Sequence, residues 1–253
     1  MNSPDEAGKS VTVGATVALP PPGYQLVEEG GTSIRVGPWS NAPGIGQLVV
    51  LPGSRGLHGP AVDKAVATAR SLGFGRLRTG ALGPDDAKVF EARGFALETN
   101  LVLLRKDLRD PIERRERRLR RMRSDDWPAI AALDAASFPR YWHFDEAALR
   151  EACAATPASR VRILGRVPLG YVIAGRSAGT GFVQRLAVHP TQAGRGIGRA
   201  LVIDALHWLR RRGGVHAFVN TQDDNARAID LYERLGFTIE PRPLMILGRT
   251  IEP

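Results

Sequence analysis

The sequence predicts a mixed α/β or α+β fold, built as two related domains that each have a mostly antiparallel sheet flanked by helices. Short apolar runs typical of strands alternate with helical periods from about residue 24 onward, and 43% of the 253 residues are hydrophobic. The two halves also echo each other, because Leu48–Pro52 resembles Leu186–Pro190 and Phe90–Phe95 resembles Tyr232–Phe237. Internal similarity of this kind indicates a duplicated unit.

The first half divides into a leader and a first domain. Residues 1–23 end in three prolines and a glycine and show no apolar period, so we expect them to form a flexible leader. Residues 24–104 are expected to form the first domain. Its predicted elements are strands at 24–29, 32–37 and 46–51, a helix at 60–72, a strand at 76–82, a helix at 84–93 and a strand at 95–105.

The second half follows a basic linker at 105–117 and is expected to form a second domain at 118–253. Ser124 or Asp125 is expected to cap its first helix. Gly213 and Gly236 are expected to end two others. The predicted elements are strands at 119–123, 160–164, 169–175, 181–188, 215–220 and 243–249, and helices at 126–137, 146–153, 196–212 and 224–235.

The net charge of +9 comes mostly from residues 105–123. A run of arginines could bind nucleic acid through its phosphates. The run has no aromatic residues on which bases could stack, so a solvated connector is the stronger interpretation. In that connector Glu113 and Glu116 would each pair with an arginine four positions further on a helical turn. Binding of nucleic acid is therefore the weaker of the two interpretations of this segment.

Cys153 is the single cysteine of the chain, so an intrachain disulfide and a thiolate zinc site are excluded, and no metal is expected. The first residues show no basic start followed by an apolar core, and no apolar run approaches the ~20 residues that span a bilayer. We therefore expect a cytoplasmic protein without a membrane partner.

The most informative pattern is an apolar strand ending at Pro190, a turn with glycine at 194, 196 and 198, and a helix that follows at once. Glycine permits positive φ and close approach, and a helix N-terminus attracts negative charge. The pattern therefore predicts a binding site for a phosphate-bearing ligand. A Walker loop does not fit, because Gly198 is followed by Arg199 and Ala200, and a dinucleotide fingerprint would need a small residue in place of Arg199.

Three segments in order resemble the GNAT superfamily of acyl-CoA-dependent N-acyltransferases. They are the strand Phe182–Val188, the turn Gly194–Gly198 with its helix, and the segment Asn225–Phe237. The resemblance covers about 118–249. The first half resembles a degenerate second copy, an arrangement similar to the tandem layout of mycothiol synthases. In that copy His58 and Pro60 stand where the second domain has Gly196 and Gly198.

The resemblance implies acetyl-CoA as co-substrate and no metal. Main-chain groups would hold its pantetheine arm and diphosphate, and Tyr232 would donate a proton to the departing thiolate. A phenol is protonated at neutral pH, which suits that role. The residues implied to bind acetyl-CoA are Leu186, Ala187, Val188, Gly194, Arg195, Gly196, Ile197, Gly198, Arg199 and Asn225.

The acceptor amine is expected to meet the loop 138–145, which is rich in aromatic residues. His143 is a candidate base, because imidazole titrates near neutral pH. The aromatic residues of the loop could equally fill the core. Asn220 stands where the similar ribosomal-protein N-terminal acetyltransferases carry a glutamate base, so their mechanism cannot be copied. The residues expected to bind the acceptor are Tyr141, Trp142, Gln184, Arg185 and Asn220.

These observations predict an N-acetyltransferase that moves an acetyl group from acetyl-CoA to a primary amine by direct attack in a ternary complex. A small-molecule amine is slightly favoured as acceptor. The alternative within enzymes is a peptide or protein amine, either an N-terminus or a lysine. The alternative of another class is a non-catalytic module that binds CoA or nucleic acid.

Overall fold

The computed structural model describes residues 23–39, 42–51, 53–140 and 142–252, and it divides into two compact units. The first unit comprises the described residues up to Gly37, Gly44–Asn100 and those from Arg242 onward, and the second comprises the rest. The expected flexible leader lies outside the described residues except for Gly23.

The described residues form twelve strands and six α-helices. In chain order they are β1 (Gln25–Glu29), β2 (Thr32–Pro38), β3 (Ile45–Val50), α1 (Gly59–Ser71), β4 (Arg76–Thr79), α2 (Pro84–Glu91), β5 (Ala96–Asp107), β6 (Arg120–Arg121), α3 (Trp127–Ser137), α4 (Glu146–Ala154), β7 (Ala158–Leu164), β8 (Gly170–Ser177), β9 (Thr180–Val188), α5 (Ile197–Arg211), β10 (His216–Gln222), α6 (Ala226–Arg234), β11 (Thr238–Ile239) and β12 (Leu244–Thr250).

The first unit has a sheet with the strand order β1-β2-β3-β4-β12-β5. Strands β3 and β4 are parallel, because α1 crosses between them, whereas β1 with β2 and β12 with β4 are antiparallel. The apolar stripe of α1, which includes Ala61, Ala65 and Ala69, is fully buried in the core of this unit. Alanine at these positions allows the helix to pack closely on the strands.

The second unit has the strand order β5-β10-β9-β8-β7-β6, with β11 added against β5. Only β9 and β10 are parallel among these pairs, because α5 crosses between them. Helix α5 packs on one face of the sheet, and α3 and α4 pack on the other. The predicted fold class, a mixed and mostly antiparallel sheet flanked by helices, is therefore confirmed.

The division of the chain differs from the domain boundaries expected from sequence. The C-terminal segment from Arg242 onward belongs to the first unit, because β12 pairs with β4 there. Residues 101–117 belong to the second unit, because the end of β5 pairs with β10. The expected linker 105–117 therefore begins inside a strand.

Several local expectations also differ. Strand β6 has two residues, and β11 was not predicted. Neither Ser124 nor Asp125 caps α3, because a single 3-10 turn at Ser124–Asp126 precedes the helix. The Asp126 carboxylate instead accepts a hydrogen bond from the N–H of Arg123 at 2.7 Å and pairs with Arg120. None of the helices in the described ranges is both long and apolar enough to cross a bilayer.

Candidate acetyl-CoA and acceptor site

The turn between β9 and α5 owes its shape to three glycines with two different tasks. Gly194 and Gly196 have φ of 77° and 71°, in the left-handed region that other residues avoid. A Cβ added to either would meet no atom within 4 Å. Gly198 is needed for space instead, because a Cβ there would lie 3.2 Å from Leu231 on α6. The turn therefore needs glycine for backbone conformation twice and for packing once.

This turn presents a row of donors without acceptors. Among the described residues, the backbone N–H groups from Gly194 to Arg199 have no hydrogen-bond acceptor, and the first helical bond of α5 is made by Ala200 to Gly196 at 3.1 Å. The first N–H groups of a helix lack partners and carry partial positive charge. Six consecutive free donors at a helix N-terminus are a site for a phosphate or diphosphate. We call this segment, Gly194–Arg199, the anion turn.

The segment expected to be a solvated connector lies against the anion turn. The Arg199 guanidinium pairs with Glu116 at 3.0 Å and with Glu113, and Arg117 donates to the backbone oxygen of Arg195 at 2.8 Å. The expected pairing of the two glutamates along a helical turn is wrong, because residues 109–118 form no helix. Their carboxylates hold the cation at the start of α5 instead.

The strands leading to and from α5 part from each other. Strands β9 and β10 pair over three positions, from Thr180 with His216 to Phe182 with Phe218, and not beyond. Leu186, Ala187 and Val188 therefore have a strand neighbour on one side, β8. On the other side alternate N–H and C=O groups of β9 face away from β8. The Val188 carbonyl accepts from the Ser137 hydroxyl at 3.2 Å, and the others are left for a ligand with amides of its own.

A β-bulge at Gln184 changes the facing of β9. Ala174 of β8 pairs with Val183, but Ile173 pairs with Arg185, so Gln184 is the extra residue. Leu186 and Val188 consequently pack on the side of α5, whereas Arg185 contacts Asp134 of α3. The Gln184 side chain lies 3.5 Å from the Thr156 hydroxyl. Its expected contact with the acceptor stays a prediction.

Tyr232, the expected proton donor to the thiolate, lies on α6, and Asn225, expected to bind acetyl-CoA, directly precedes this helix. Tyr232 is 4% exposed and meets Phe237 edge to face, with ring centroids 5.5 Å apart. Burial raises the pKa of Tyr232 well above the ordinary value of a phenol, so its proton is retained at all physiological pH. Asn225 caps α6, accepting from the N–H of Ala228 at 3.2 Å and donating to Thr221 at 3.0 Å.

Arg185 belongs to a buried polar cluster that sequence reasoning missed. Its guanidinium donates to both oxygens of Asp134 at 2.8 and 2.7 Å, and Tyr171 donates to the same carboxylate. Asp134 is fully buried, and the nearby negative charge adds to burial in raising the pKa of Tyr171. The Arg185 guanidinium also lies 3.6 and 3.9 Å from the ring centres of Phe138 and Phe144.

This cluster anchors the loop expected to meet the acceptor. Arg185 donates to the backbone oxygen of Trp142 at 2.6 Å, and the N–H of Phe144 donates to Asp134 at 2.5 Å. Phe138 and Phe144 therefore have the core role that was the alternative interpretation. The Arg185 guanidinium, which was expected to contact the amine, holds this loop.

The remaining acceptor residues lie around this loop and the end of β10. Trp142 meets Trp39 edge to face at 6.0 Å, and His143 is half-buried beside it in the turn that follows Pro139. Asn220 is half-buried on β10, opposite Leu103 of β5. Tyr141 lies outside the described residues. In the part of the chain that the structure describes, no group of three His, Cys, Asp or Glu side chains could hold a metal ion.

Comparison with known proteins agrees with this geometry. The profile of the Acetyltransferase (GNAT) family matches residues 118–237. A mycothiol acetyltransferase of Tsukamurella paurometabola is 30% identical over 255 aligned positions, which cover 87% of this chain and 84% of that protein. One of Rhodococcus jostii is 29% identical over 222 positions, covering 77% and 71%. The chain therefore belongs to the GNAT acetyltransferase family.

Other similarities are more local or concern the fold alone. A mycothiol acetyltransferase of Rhodococcus opacus is 44% identical over 57 residues, so the matched part of the chain spans 19% of that relative's length. The solved structure of a tandem GNAT protein from the clavulanic acid biosynthesis pathway superposes with a TM-score of 0.66 at 17% identity, covering 92% of this chain and 85% of that one. Acetyl-CoA is the co-substrate of the family, and the anion turn fits its diphosphate.

Proposed function

We propose that this protein transfers the acetyl group of acetyl-CoA to a primary amine of a small molecule. One observation carries the proposal: six free N–H groups at the start of α5 lie directly after a strand that has parted from its neighbour. The turn suits a diphosphate, and the open edge of β9 suits the amide-bearing arm attached to it. The two features occur in the order that such a ligand would require.

Acetyl-CoA supplies the acetyl thioester, and the chain supplies its positioning. The anion turn holds the diphosphate without a metal, and the free main-chain groups between Leu186 and Val188 orient and polarise the thioester carbonyl. The amine attacks directly, so no side chain of the enzyme becomes acetylated. The proton of the ammonium leaves through water or through His143, which is half-buried in the acceptor loop.

Tyr232 serves the leaving group. Its raised pKa disfavours full ionisation, so it first acts as a hydrogen-bond donor that stabilises negative charge on sulfur. The proton follows as the carbon–sulfur bond breaks. Because the ring is already packed against Phe237, the phenol needs little reorganisation to act in this way.

A small amine is favoured over a peptide by the relatives that match most of the chain, since their names give mycothiol as the molecule concerned. The loop anchored by Arg185 also restricts the acceptor side, because its backbone is tied down at Trp142 and Phe144. A restrained aromatic loop suits a compact acceptor better than an extended protein segment.

The test is a thiol-release assay with acetyl-CoA and a panel of amines, run beside calorimetric titration of acetyl-CoA. We expect heat on addition of acetyl-CoA and thiol release with aminoglycosides, polyamines or amino-acid-like amines. Faster release with short peptides would contradict the small-molecule acceptor. Binding of acetyl-CoA with no release from any amine would contradict the enzyme, and absence of binding would contradict the site itself.

A further inference from the structure

A cleft of about 730 Å³ lies in the second unit where β6, β7 and the C-terminal end of α5 meet. Trp208 of α5 and Arg212, which directly follows this helix, line it, and they follow the anion turn by about 10–15 residues, roughly 15–20 Å along the helix. The cleft is therefore separate from the acetyl-CoA site. None of the described residues that line it is acidic.

The cleft is strongly basic. Five arginines line it, namely Arg121, Arg160, Arg162, Arg211 and Arg212. The carboxylate of Asp204 on α5 forms ion pairs with two of them, Arg160 at 3.4 Å and Arg162 at 3.5 Å. It also pairs with Arg115 at 3.0 Å. One carboxylate among so many cations leaves a large excess of positive charge.

Two of these arginines are largely withdrawn from water. The side chains of Arg160 and Arg162 are 17% and 16% exposed. The buried Nε of Arg162 and Oδ2 of Asp204 face each other at 3.5 Å without forming a hydrogen bond. Desolvated charges with incomplete hydrogen bonding are unfavourable, and one carboxylate shared by three guanidinium groups neutralises them only in part. The uncompensated positive charge favours the binding of an added anion.

The floor of the cleft is an open strand edge. Strand β6 pairs with β7 at two positions, Arg120 with Ile163 and Arg121 with Arg162, and then ends. From Ala158 to Val161, β7 pairs with β8 on one side and has no strand neighbour on the other in the described structure. Its outward N–H and C=O groups are therefore available to another extended chain.

The two faces of this edge differ in chemistry. Arg160 and Arg162 point to the side of α5, where their ion pairs with Asp204 lie. Val161 points to the other side and packs with Trp127 and Cys153. Burial raises the pKa of the Cys153 thiol to about 11, so it is a neutral and largely apolar neighbour there.

We propose that this cleft binds an extended acidic peptide, which continues the sheet beside β7 where β6 ends. Carboxylates on alternate residues of the peptide face Arg160, Arg162, Arg211 and Arg212. The intervening apolar side chains face Val161, Cys153 and Trp127. The spacing agrees, because alternate residues of a strand are roughly 6.6–6.8 Å apart and point to one face.

The open edge favours a peptide over other anions. A phosphate or a nucleic acid would use the arginines, but neither would use the N–H and C=O groups of β7 in a ladder. A peptide uses both, and its main-chain bonds give affinity while alternate side chains give specificity. The acidic partner need not be an acetyl acceptor, so this inference stands apart from the proposed function.

The test is fluorescence anisotropy of the full chain with a labelled hexapeptide of alternating glutamate and valine. We expect binding that weakens about tenfold when the peptide is N-methylated at alternate positions and again about tenfold in the Arg160→Gln variant. The Arg211→Gln/Arg212→Gln variant changes exposed side chains, so it keeps the fold and should also weaken binding. Arg166→Gln, an exposed residue just beyond the other end of β7, is the matched control and should bind normally.

Three outcomes would overturn the proposal. Equal binding of the N-methylated peptide would show that the strand edge is not used. Equal binding by the Arg211→Gln/Arg212→Gln variant and the Arg166→Gln control would show that the cleft is not used. Tighter binding of polyuridylate or tripolyphosphate, with displacement of the peptide, would assign the cleft to a phosphate ligand.

Discussion

Arg185 and Asp134, 51 positions apart in sequence, form a two-bond ion pair in which the carboxylate is fully buried and the guanidinium side chain is 11% exposed. The pair joins β9, whose far end lies at the proposed acetyl-CoA site, to α3 and to the loop expected to hold the acceptor. It therefore connects the two halves of the proposed active site through one contact.

Arg185→Met is expected to leave the Asp134 carboxylate buried without its cation and to lower the free energy of unfolding by about 3–5 kcal/mol. Urea denaturation at pH 7 measures the change. The control is Arg234→Met, which removes an exposed ion pair with Asp230 on α6, with side chains 76% and 55% exposed, and should have an effect below about 1 kcal/mol. Equal effects of the two substitutions would contradict the anchoring role.

Tyr232→Phe is expected to lower kcat about 100-fold while leaving the affinity for acetyl-CoA unchanged, because the lost hydroxyl matters in the transition state. The ring keeps its contact with Phe237, so thermal stability should be unaffected. Steady-state kinetics and calorimetry measure the two quantities. Because the pKa of Tyr232 is raised, the wild-type protein should show no loss of activity from this group up to about pH 10. Unchanged kcat would remove Tyr232 from the mechanism.

Gly196→Ala is expected to weaken acetyl-CoA binding about tenfold, because φ of 71° is unfavourable for alanine and the neighbouring N–H groups would turn away from the ligand. Gly179→Ala is the matched control, since Gly179 has φ of 82° in the turn between β8 and β9 and has equal space around it. Both variants should lose similar stability, and the Gly196→Ala variant alone should lose affinity in calorimetry.

Glu113→Gln/Glu116→Gln is expected to strengthen acetyl-CoA binding about 2- to 5-fold at low salt, because Arg199 would no longer be neutralised beside the anion turn. The gain should shrink as salt screens the exposed charges. Calorimetry at two salt concentrations measures it, with Glu146→Gln/Asp230→Asn as the control for lost negative charge elsewhere. Weaker binding in the Glu113→Gln/Glu116→Gln variant would mean that the carboxylates are needed to orient Arg199.

Arg120→Gln is expected to lower the free energy of unfolding by about 1–2 kcal/mol at pH 7, because Arg120 pairs with Asp126 at 2.6 Å. The hydrogen bond from Arg120 depresses the pKa of Asp126, so the pair stabilises the fold above pH about 4 and ceases to do so as the pH falls through the folded-state pKa. The difference between the two proteins should therefore shrink in acid to the part that comes from the hydrogen bonds of Arg120 to the backbone oxygens of Gly165 and Arg166. A difference that does not shrink as the pH falls below about 4 would contradict the assignment.

The regular elements and the anion turn were readable from sequence because their signals are local. Strand and helix periods located almost every element within a few residues, and the spacing of Gly194, Gly196 and Gly198 predicted the turn between β9 and α5. The distinction between the glycines was not readable, because the neighbour that crowds Gly198, Leu231, is 33 positions away.

The missed features depend on contacts between distant segments. Glu113 pairs with Arg199, 86 positions away in sequence, and no local pattern predicts that ion pair. Asp134 did carry a signal, since it stands in the run Ala131–Ala136 of an otherwise apolar helix, where a buried carboxylate requires a partner. Asn225 is implied by the resemblance to bind acetyl-CoA, and the sequence did not reveal its role as the cap of α6, because both roles suit an asparagine before a helix.

The surplus residue in β9 has a consequence for how the site can vary. Because Ala174 pairs with Val183 and Ile173 with Arg185, removing Gln184 would restore an unbroken alternation and leave every later side chain of the strand on its present face. Deleting Leu186 would instead put Ala187 on the side of α5 and Val188 on the side of α3. Strand β9 can therefore lose one residue at the bulge, but not beyond it, without moving the side chains on which the two halves of the proposed site depend.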